Sequence, residues 1–222
     1  MSRSPAALAF VHAHVPPIDA DDPRTVLLLH GTGGNERDLL ALGAAVAPGA
    51  RLLGVRGQVM EHGMPRFFHR LAEGVFDEAD VVRRAADLAA FVPAAASSYR
   101  FDPAHVVALG YSNGANIAAA MLLLHPGVLS AAVLFRSMVP LVPMQVPEFR
   151  ATPVLIVNGQ VDPIIPRANA ERLAALLQEG GADVTLHWEP VGHGLTPDDV
   201  AVARAWMATQ RRGAERRATG AV

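Results

Sequence analysis

Near-continuous apolar runs recur along the chain and set its expected architecture. Thr25-Val26-Leu27-Leu28-Leu29-His30, Val106-Val107-Ala108-Leu109, Ala131-Ala132-Val133-Leu134-Phe135 and Thr152-Pro153-Val154-Leu155-Ile156-Val157-Asn158 show no polar alternation. Such runs mark strands buried on both faces. Leu52-Leu53-Gly54-Val55 and Val184-Thr185-Leu186-His187-Trp188 read as two further strands, and Ala9 to Val15 as an edge strand. Between them lie stretches with helical character: 38–46, 78–98, 113–124, 168–179 and 197–211. The second carries Val81, Val82, Ala85, Leu88, Ala89 and Val92 near helical spacing, and Pro93 is expected to bend or divide it. Gly180-Gly181 closes the fourth; Thr196 caps the fifth, with Pro197 in its first turn. Arg56 to Asp77 and Ser137 to Phe149 read as long connections.

Strands alternating with helices at this interval predict an α/β fold: a mostly parallel, doubly wound sheet with helices on both faces. There is too little additional chain for a separate cap domain, so any lid must be a loop. The expected division is an N-terminal segment, 1–24, with the edge strand; one α/β domain, 25–211; and a small, basic, mobile tail, 212–222.

Composition narrows the function. With 51% hydrophobic and 18% charged residues the chain folds around a core and is not a disordered segment. Lys+Arg 19 against Asp+Glu 21 leaves a net charge of −2, too balanced for binding nucleic acid by phosphate neutralisation. There is no cysteine, hence no disulfide, thiolate metal site or thiol nucleophile. The first ten residues lack the apolar stretch of a signal peptide, and no run approaches the roughly 18–20 apolar residues of a membrane span. A soluble cytoplasmic protein is the default expectation.

One stretch carries chemistry. Gly110-Tyr111-Ser112-Asn113-Gly114 follows an apolar strand and opens a helix, the setting that a G-x-S-x-G nucleophile elbow requires. A serine hydroxyl needs a base, usually a histidine oriented by a carboxylate. Asp162, in Gly159-Gln160-Val161-Asp162-Pro163, and His193, in Val191-Gly192-His193-Gly194, each fall just after a later strand. Both therefore belong at the carboxyl ends of parallel strands, where such sheets place their sites. Taken singly, Asp162 before Pro163 is as readily a turn former. The order serine, acid, histidine is what joins the three. An oxyanion hole then takes one backbone N–H from Asn113 and one from the loop Gly31-Thr32-Gly33-Gly34, at Thr32. No Lys-Ser/Thr follows that loop and its spacing is not G-x-G-x-x-G, which disfavours phosphate binding.

His30 is expected to be structural, bonded beneath the glycine-rich loop. His12-x-His14 lacks a third ligand nearby, so no metal site is expected, and no cofactor. Gly33, Met64, Arg66, Phe67, Met138, Ile164 and Leu195 are candidate pocket residues. Arg66 either meets a substrate carboxylate or pairs with Glu61 or Glu73 as scaffold, and the second reading is preferred.

Leu29-His30-Gly31-Thr32-Gly33-Gly34, the elbow through Asn116, Asp162-Pro163 and Gly192-His193 resemble the carboxylesterase/phospholipase branch of α/β-hydrolases, which includes acyl-protein thioesterases. Gly63-Met64-Pro65-Arg66-Phe67-Phe68 and Met138-Val139-Pro140 are similar to small bacterial esterases, among them hydrolases associated with quinone and hydroquinone stress. The resemblance covers about residues 25 to 205. It implies an α/β-hydrolase fold and ester hydrolysis, with Ser112 as nucleophile, His193 as base and Asp162 as orienting acid. The thioesterase members usually carry Gln after the serine where this chain has Asn113, so protein depalmitoylation is a less favoured reading. Dienelactone-type hydrolysis is less expected, because it relies on a Cys nucleophile. The expected partner is a small ester; a thioesterase acting on acylated proteins or small thioesters and a non-catalytic binding role are the alternatives. Met138 to Met144 is a candidate lid or self-association patch, leaving a homodimer open.

Overall fold

The four long apolar runs form the centre of one seven-stranded sheet in the computed structural model, which describes residues 8–218 and side chains through residue 210. The strands are β1 (His12–Val15), β2 (Thr25–Leu29), β3 (Arg51–Val55), β8 (Val106–Tyr111), β9 (Ala131–Phe135), β10 (Pro153–Gly159) and β11 (Asp183–Glu189), ordered β1-β3-β2-β8-β9-β10-β11. All neighbours are parallel except β1, which pairs antiparallel with β3 at the edge. β2 and β9 are buried at every position, as uninterrupted apolarity requires.

Helices cover both faces. α1 (Leu40–Val46) and α5 (Pro197–Ala218) enclose one apolar cluster through Val46, Ala203 and Met207, packed on Val26, Leu28, Leu109 and Val133. On the other face α2 (Glu78–Tyr99), α3 (Asn113–Leu124) and α4 (Arg167–Glu179) bury Leu88, Ile117, Met121 and Leu173 against Leu27, Ala108 and Leu134. α3 runs alongside the strand that feeds it and is buried at nearly every residue, with Leu124 the exception. Among the described residues, no helix is long and apolar enough to cross a membrane.

Three expectations need correction. Residues 56–77 are not an unstructured loop; they hold two hairpins, β4 (Val59–Glu61) with β5 (Met64–Arg66) and β6 (Arg70–Ala72) with β7 (Val75–Phe76). Pro93 does not divide α2, which is continuous from Glu78 to Tyr99. Interior proline costs a helix about 3 kcal/mol. Here Pro93 lies exposed while Val92, Ala95 and Ala96 bury the opposite face, and that packing outweighs the penalty. α5 continues to Ala218 instead of ending near Arg211. Residues 212–218 of the expected tail are thus helical, being rich in Arg, Ala and Glu with only one glycine. Residues 219–222 of that tail, and 1–7 of the N-terminal segment, lie outside the described residues.

Candidate active site

The turn between β8 and α3 bends so sharply because both flanking glycines let backbone meet backbone. A Cβ on Gly114 would land on the Leu29 carbonyl, and one on Gly110 would lie 2.5 Å from the Gly114 carbonyl oxygen. Ser112 itself sits at φ 52°, ψ −115°, a region a side chain seldom occupies. The distortion is held by the Ser112 N–H donating to Phe135 O at 2.9 Å and its carbonyl accepting from Asn116 N–H at 2.9 Å. Its hydroxyl stands at the carboxyl edge of the sheet.

Two later loops arrive at the same edge. After β10, the Asp162 Oδ1 atom accepts from the Ile164 and Ile165 N–H groups at 2.8 and 3.3 Å, which turns the carboxylate inward. Its Oδ2 lies 2.8 Å from His193 Nδ1, and the Asp162 side chain is fully buried. His193 Nε2 lies 3.0 Å from Ser112 Oγ. A carboxylate only accepts, so Nδ1 carries a proton and Nε2 is left to accept from the serine. The three residues that the sequence separates by 50 and 31 positions therefore form one hydrogen-bonded line. Glu189, the last residue of β11, pairs instead with His187 Nε2 at 2.8 Å.

The Tyr111 hydroxyl donates to the His193 carbonyl at 3.1 Å. Burial first, and then the charges of Asp162 and Asp199, raise its pKa against the opposing Arg136, so the phenol remains a donor. Among the described residues, the backbone N–H groups of Thr32 and Asn113 have no protein acceptor. The Gly33 N–H is held on Pro65 O at 2.9 Å, and the Thr32 hydroxyl accepts from Arg66 Nη1 at 2.9 Å, fixing the peptide beside them. His30 lies under this loop: its Nδ1–H faces Gly31 O at 2.6 Å while its Nε2 accepts from Gly57 N–H at 3.0 Å. Burial, as the largest cause, lowers its pKa, in keeping with a neutral ring.

A cavity of about 250 Å³ opens over Ser112, between Thr32, Arg66, Arg70, Asn116, Arg136, Met138, Ile164, Ile165 and His193. Of the sequence-selected pocket residues it takes Arg66, Met138 and Ile164. Gly33 and Leu195 line an adjoining cleft with Thr32 and Tyr111. Met64 lies outside the cavity, its side chain 3.7 Å from the Cβ position of Gly33. Phe67 is a core residue at 2% exposure, its ring 4.8 Å from that of His30. Arg66 is scaffold: its Nη1 is 3.2 Å from Glu61, whose other oxygen holds Arg70 at 3.0 Å. Burial works to raise the Glu61 carboxyl, but the bond from Arg70 and the charges of Arg66 and Arg70 hold it below the usual range. A larger hollow of about 700 Å³ lies at the opposite edge of the sheet among Val107, Ala131 and Pro153, and contains none of these groups. Tyr111, Asn116, Arg70 and Arg136 were not selected from sequence. Arg136 left one signal, a charge at the end of a buried strand.

Residues 63–216 match the dienelactone hydrolase family. The chain belongs to that family. It is also 48% identical over 181 residues to MhqD of Bacillus subtilis (strain 168), a protein named as a hydrolase, covering 82% of this chain and 90% of that one. Among solved structures it is similar to a Bacillus cereus carboxylesterase, with 46% identity, TM-score 0.88, and coverage of 91% and 95% of the two chains. A Mesorhizobium loti carboxylesterase matches at 32% identity and TM-score 0.84, over 91% and 96%. The fold is the α/β-hydrolase fold without a separate cap, and the chain is a hydrolase of the dienelactone hydrolase and carboxylesterase type. The match agrees with the α/β-hydrolase esterase resemblance drawn from the motifs. The cysteine nucleophile on which dienelactone-type hydrolysis relies is absent: the elbow holds Ser112 and the chain has no cysteine.

Proposed function

We propose that this family member is a serine carboxylesterase that cleaves small carboxylic esters through an acyl-enzyme. The observation that carries the reading is the line Asp162–His193–Ser112, at 2.8 and 3.0 Å, opening on a cavity beside two backbone N–H groups without an acceptor among the described residues. Ser112 Oγ attacks the ester carbonyl as His193 Nε2 takes its proton, and Asp162 stabilises the resulting imidazolium. The carbonyl oxygen, now an anion, rests on the N–H groups of Thr32 and Asn113. One such donor is worth about 3–4 kcal/mol to the transition state. His193 returns the proton to the leaving alcohol, and water then repeats the sequence on the acyl-enzyme. No step calls on a metal or cofactor.

The cavity's size favours short acyl or alcohol groups, since about 250 Å³ is at or below the lower end of small-molecule pockets, roughly 300–1,000 Å³. The likeness to carboxylesterases supports an ester over an amide as substrate. The test is labelling by a fluorophosphonate, lost in Ser112→Ala, together with a p-nitrophenyl ester series. Turnover should peak at acetate to butyrate; a steady rise towards palmitate would refute the small pocket. Absence of both labelling and turnover in the wild-type protein would leave a non-catalytic binding role.

A further inference from the structure

We infer that Arg136, with Asp199, is a positioning residue of the hydrolytic centre, clamping the loop that carries His193. The inference rests on the proposed role of His193 as base. The loop has little rigidity of its own. Gly192 and Gly194 flank His193, and glycine is the residue least restricted by its own backbone. Its three consecutive carbonyls are nonetheless all held from outside. Arg136 Nε donates to Gly192 O at 3.1 Å, the Tyr111 hydroxyl to His193 O at 3.1 Å, and Arg136 Nη2 to Gly194 O at 2.8 Å.

The remaining donors of Arg136 anchor the clamp. Nη1 donates to Val157 O at 3.1 Å and to Asp199 Oδ1 at 2.8 Å, and Nη2 to Asp199 Oδ2 at 2.7 Å. Every one of the guanidinium's five N–H groups is thereby used. Asp199 in turn accepts from the N–H and hydroxyl of Thr196 at 2.7 and 3.0 Å, tying the clamp to the first turn of α5. Both charged side chains are wholly buried, at 0% exposure.

Stability alone is a poor reason for this arrangement. A buried ion pair often contributes no more than well-packed apolar residues of equal size. Arg136 also adopts φ 53°, a strained conformation for a residue with a Cβ. Positioning supplies the reason. His193 must stay within hydrogen-bond reach of Asp162 and Ser112 together, and a misplacement of about 1 Å can cost roughly 10²-fold in rate. Lysine cannot replace arginine here, because three rotatable donors on one nitrogen cannot span three carbonyls and a carboxylate.

The test compares Arg136→Lys with the paired replacement Arg136→Met, Asp199→Leu, which removes both buried charges and every donor of the clamp. Each is assayed on p-nitrophenyl acetate and for fluorophosphonate labelling rate, per molecule shown folded by near-UV circular dichroism. The expected result is a kcat, and a labelling rate, reduced about 10²-fold with KM nearly unchanged. Wild-type kcat in either folded variant overturns the inference. If neither variant folds, the pair is a requirement of the fold and the positioning role also falls. Failure of the esterase reading would look different: the wild-type protein itself would show neither turnover nor labelling at Ser112.

Discussion

Exchanging Asp162 for asparagine changes one atom and should remove most of the activity by a route visible in the structure. Asp162 has two duties: Oδ1 accepts from the N–H groups of Ile164 and Ile165, and Oδ2 faces His193 Nδ1 at 2.8 Å. In Asp162→Asn the one remaining oxygen has two backbone donors on one side and a single ring nitrogen on the other. It will turn towards the backbone, leaving the side-chain NH₂ against Nδ1. Nδ1 must then accept, which puts the imidazole proton on Nε2, the atom that has to receive the Ser112 proton. The base is in place but already protonated. Enforcing the wrong tautomer in this way costs about 10⁴-fold in kcat, or about 5.5 kcal/mol of transition-state stabilisation. The assay is kcat on p-nitrophenyl acetate near neutral pH, alongside thermal unfolding to show that the fold is intact. A folded Asp162→Asn protein with more than about a tenth of wild-type kcat would refute the reasoning, and with it the place of Asp162 in the mechanism.

Ser112→Ala should lower kcat further, by about 10⁶-fold, leaving the turnover due to the oxyanion N–H groups and binding alone; single-turnover assays on an activated ester would check it. Gly114→Ala would force a methyl onto the Leu29 carbonyl, and the strand and helix would have to separate. An unfolding free energy lower by about 3 kcal/mol or more in urea is expected, whereas a neutral result would mean that the elbow is looser than drawn. His30 should make stability pH-dependent. Its folded pKa is lowered, mainly by burial, so the unfolded chain takes up a proton first as pH falls. The contribution is full above about pH 6.5 and declines below it. Urea midpoints at pH 7.5 and 5.5 should differ more in the wild type than in His30→Gln, and equal differences would remove His30 as the cause. Asp80→Asn should cost about 1–3 kcal/mol at pH 7, because Asp80 is buried and accepts from His69 N–H while paired with Arg83 and Arg84. Burial works to raise the Asp80 carboxyl, but those partners hold it low. The deficit should therefore persist above about pH 4 and shrink as acid protonates the wild-type carboxylate, measured as the difference in urea midpoint.

The frame was legible because its strands are apolar without interruption, and no other element explains such runs between turn residues. The elbow was legible because its glycines answer to a backbone contact that no other residue permits. Asp162 and His193 could be proposed from order alone, one three residues past the end of β10 and the other four past the end of β11. The hairpins in residues 56–77 were hidden by their turn chemistry. The β4–β5 turn places His62 and Gly63 at φ 50° and 78°, a two-residue turn with both residues left-handed. Asn-Gly or Asp-Gly announces that turn, and His-Gly does not. The two helix corrections have opposite causes: at Pro93 local propensity was given more weight than the packing that overrules it, and at 212–218 the helix formers Arg, Ala and Glu were given too little. Arg136 was hidden for a third reason. Its importance lies in carbonyls at 157, 192 and 194, and a backbone acceptor leaves no trace in residue identity.

The same blindness to backbone partners conceals how the site is assembled. The side-chain Oδ1 of Asn113 accepts the Phe67 N–H at 2.7 Å, and Oδ1 of Asn116 accepts the Met138 N–H at 2.9 Å. The first turn of α3 thus grips both connections that wall the cavity, one from each side. Asn158 and Asn169 hold the neighbouring N–H groups of Ser137 and Val139 at 2.9 and 2.7 Å. The connection expected to serve as a lid or a self-association patch is therefore fastened at its root by three asparagines in succession. Met138 and Leu141 are buried and only Val142 and Met144 stand exposed, so its start is wall and not flap. The Asn113 side-chain Nδ2 is meanwhile buried beside the cavity without a partner among the described residues, and an unmet buried donor typically costs about 1–3 kcal/mol. The cost falls on the residue whose N–H is proposed to receive the oxyanion and whose side chain carries the pocket wall. The proposed nucleophile, its proposed oxyanion donor and the cavity wall thus meet at the first turn of α3. On that reading, a change that reshapes the cavity through this turn also moves the reacting groups, which couples substrate preference to rate.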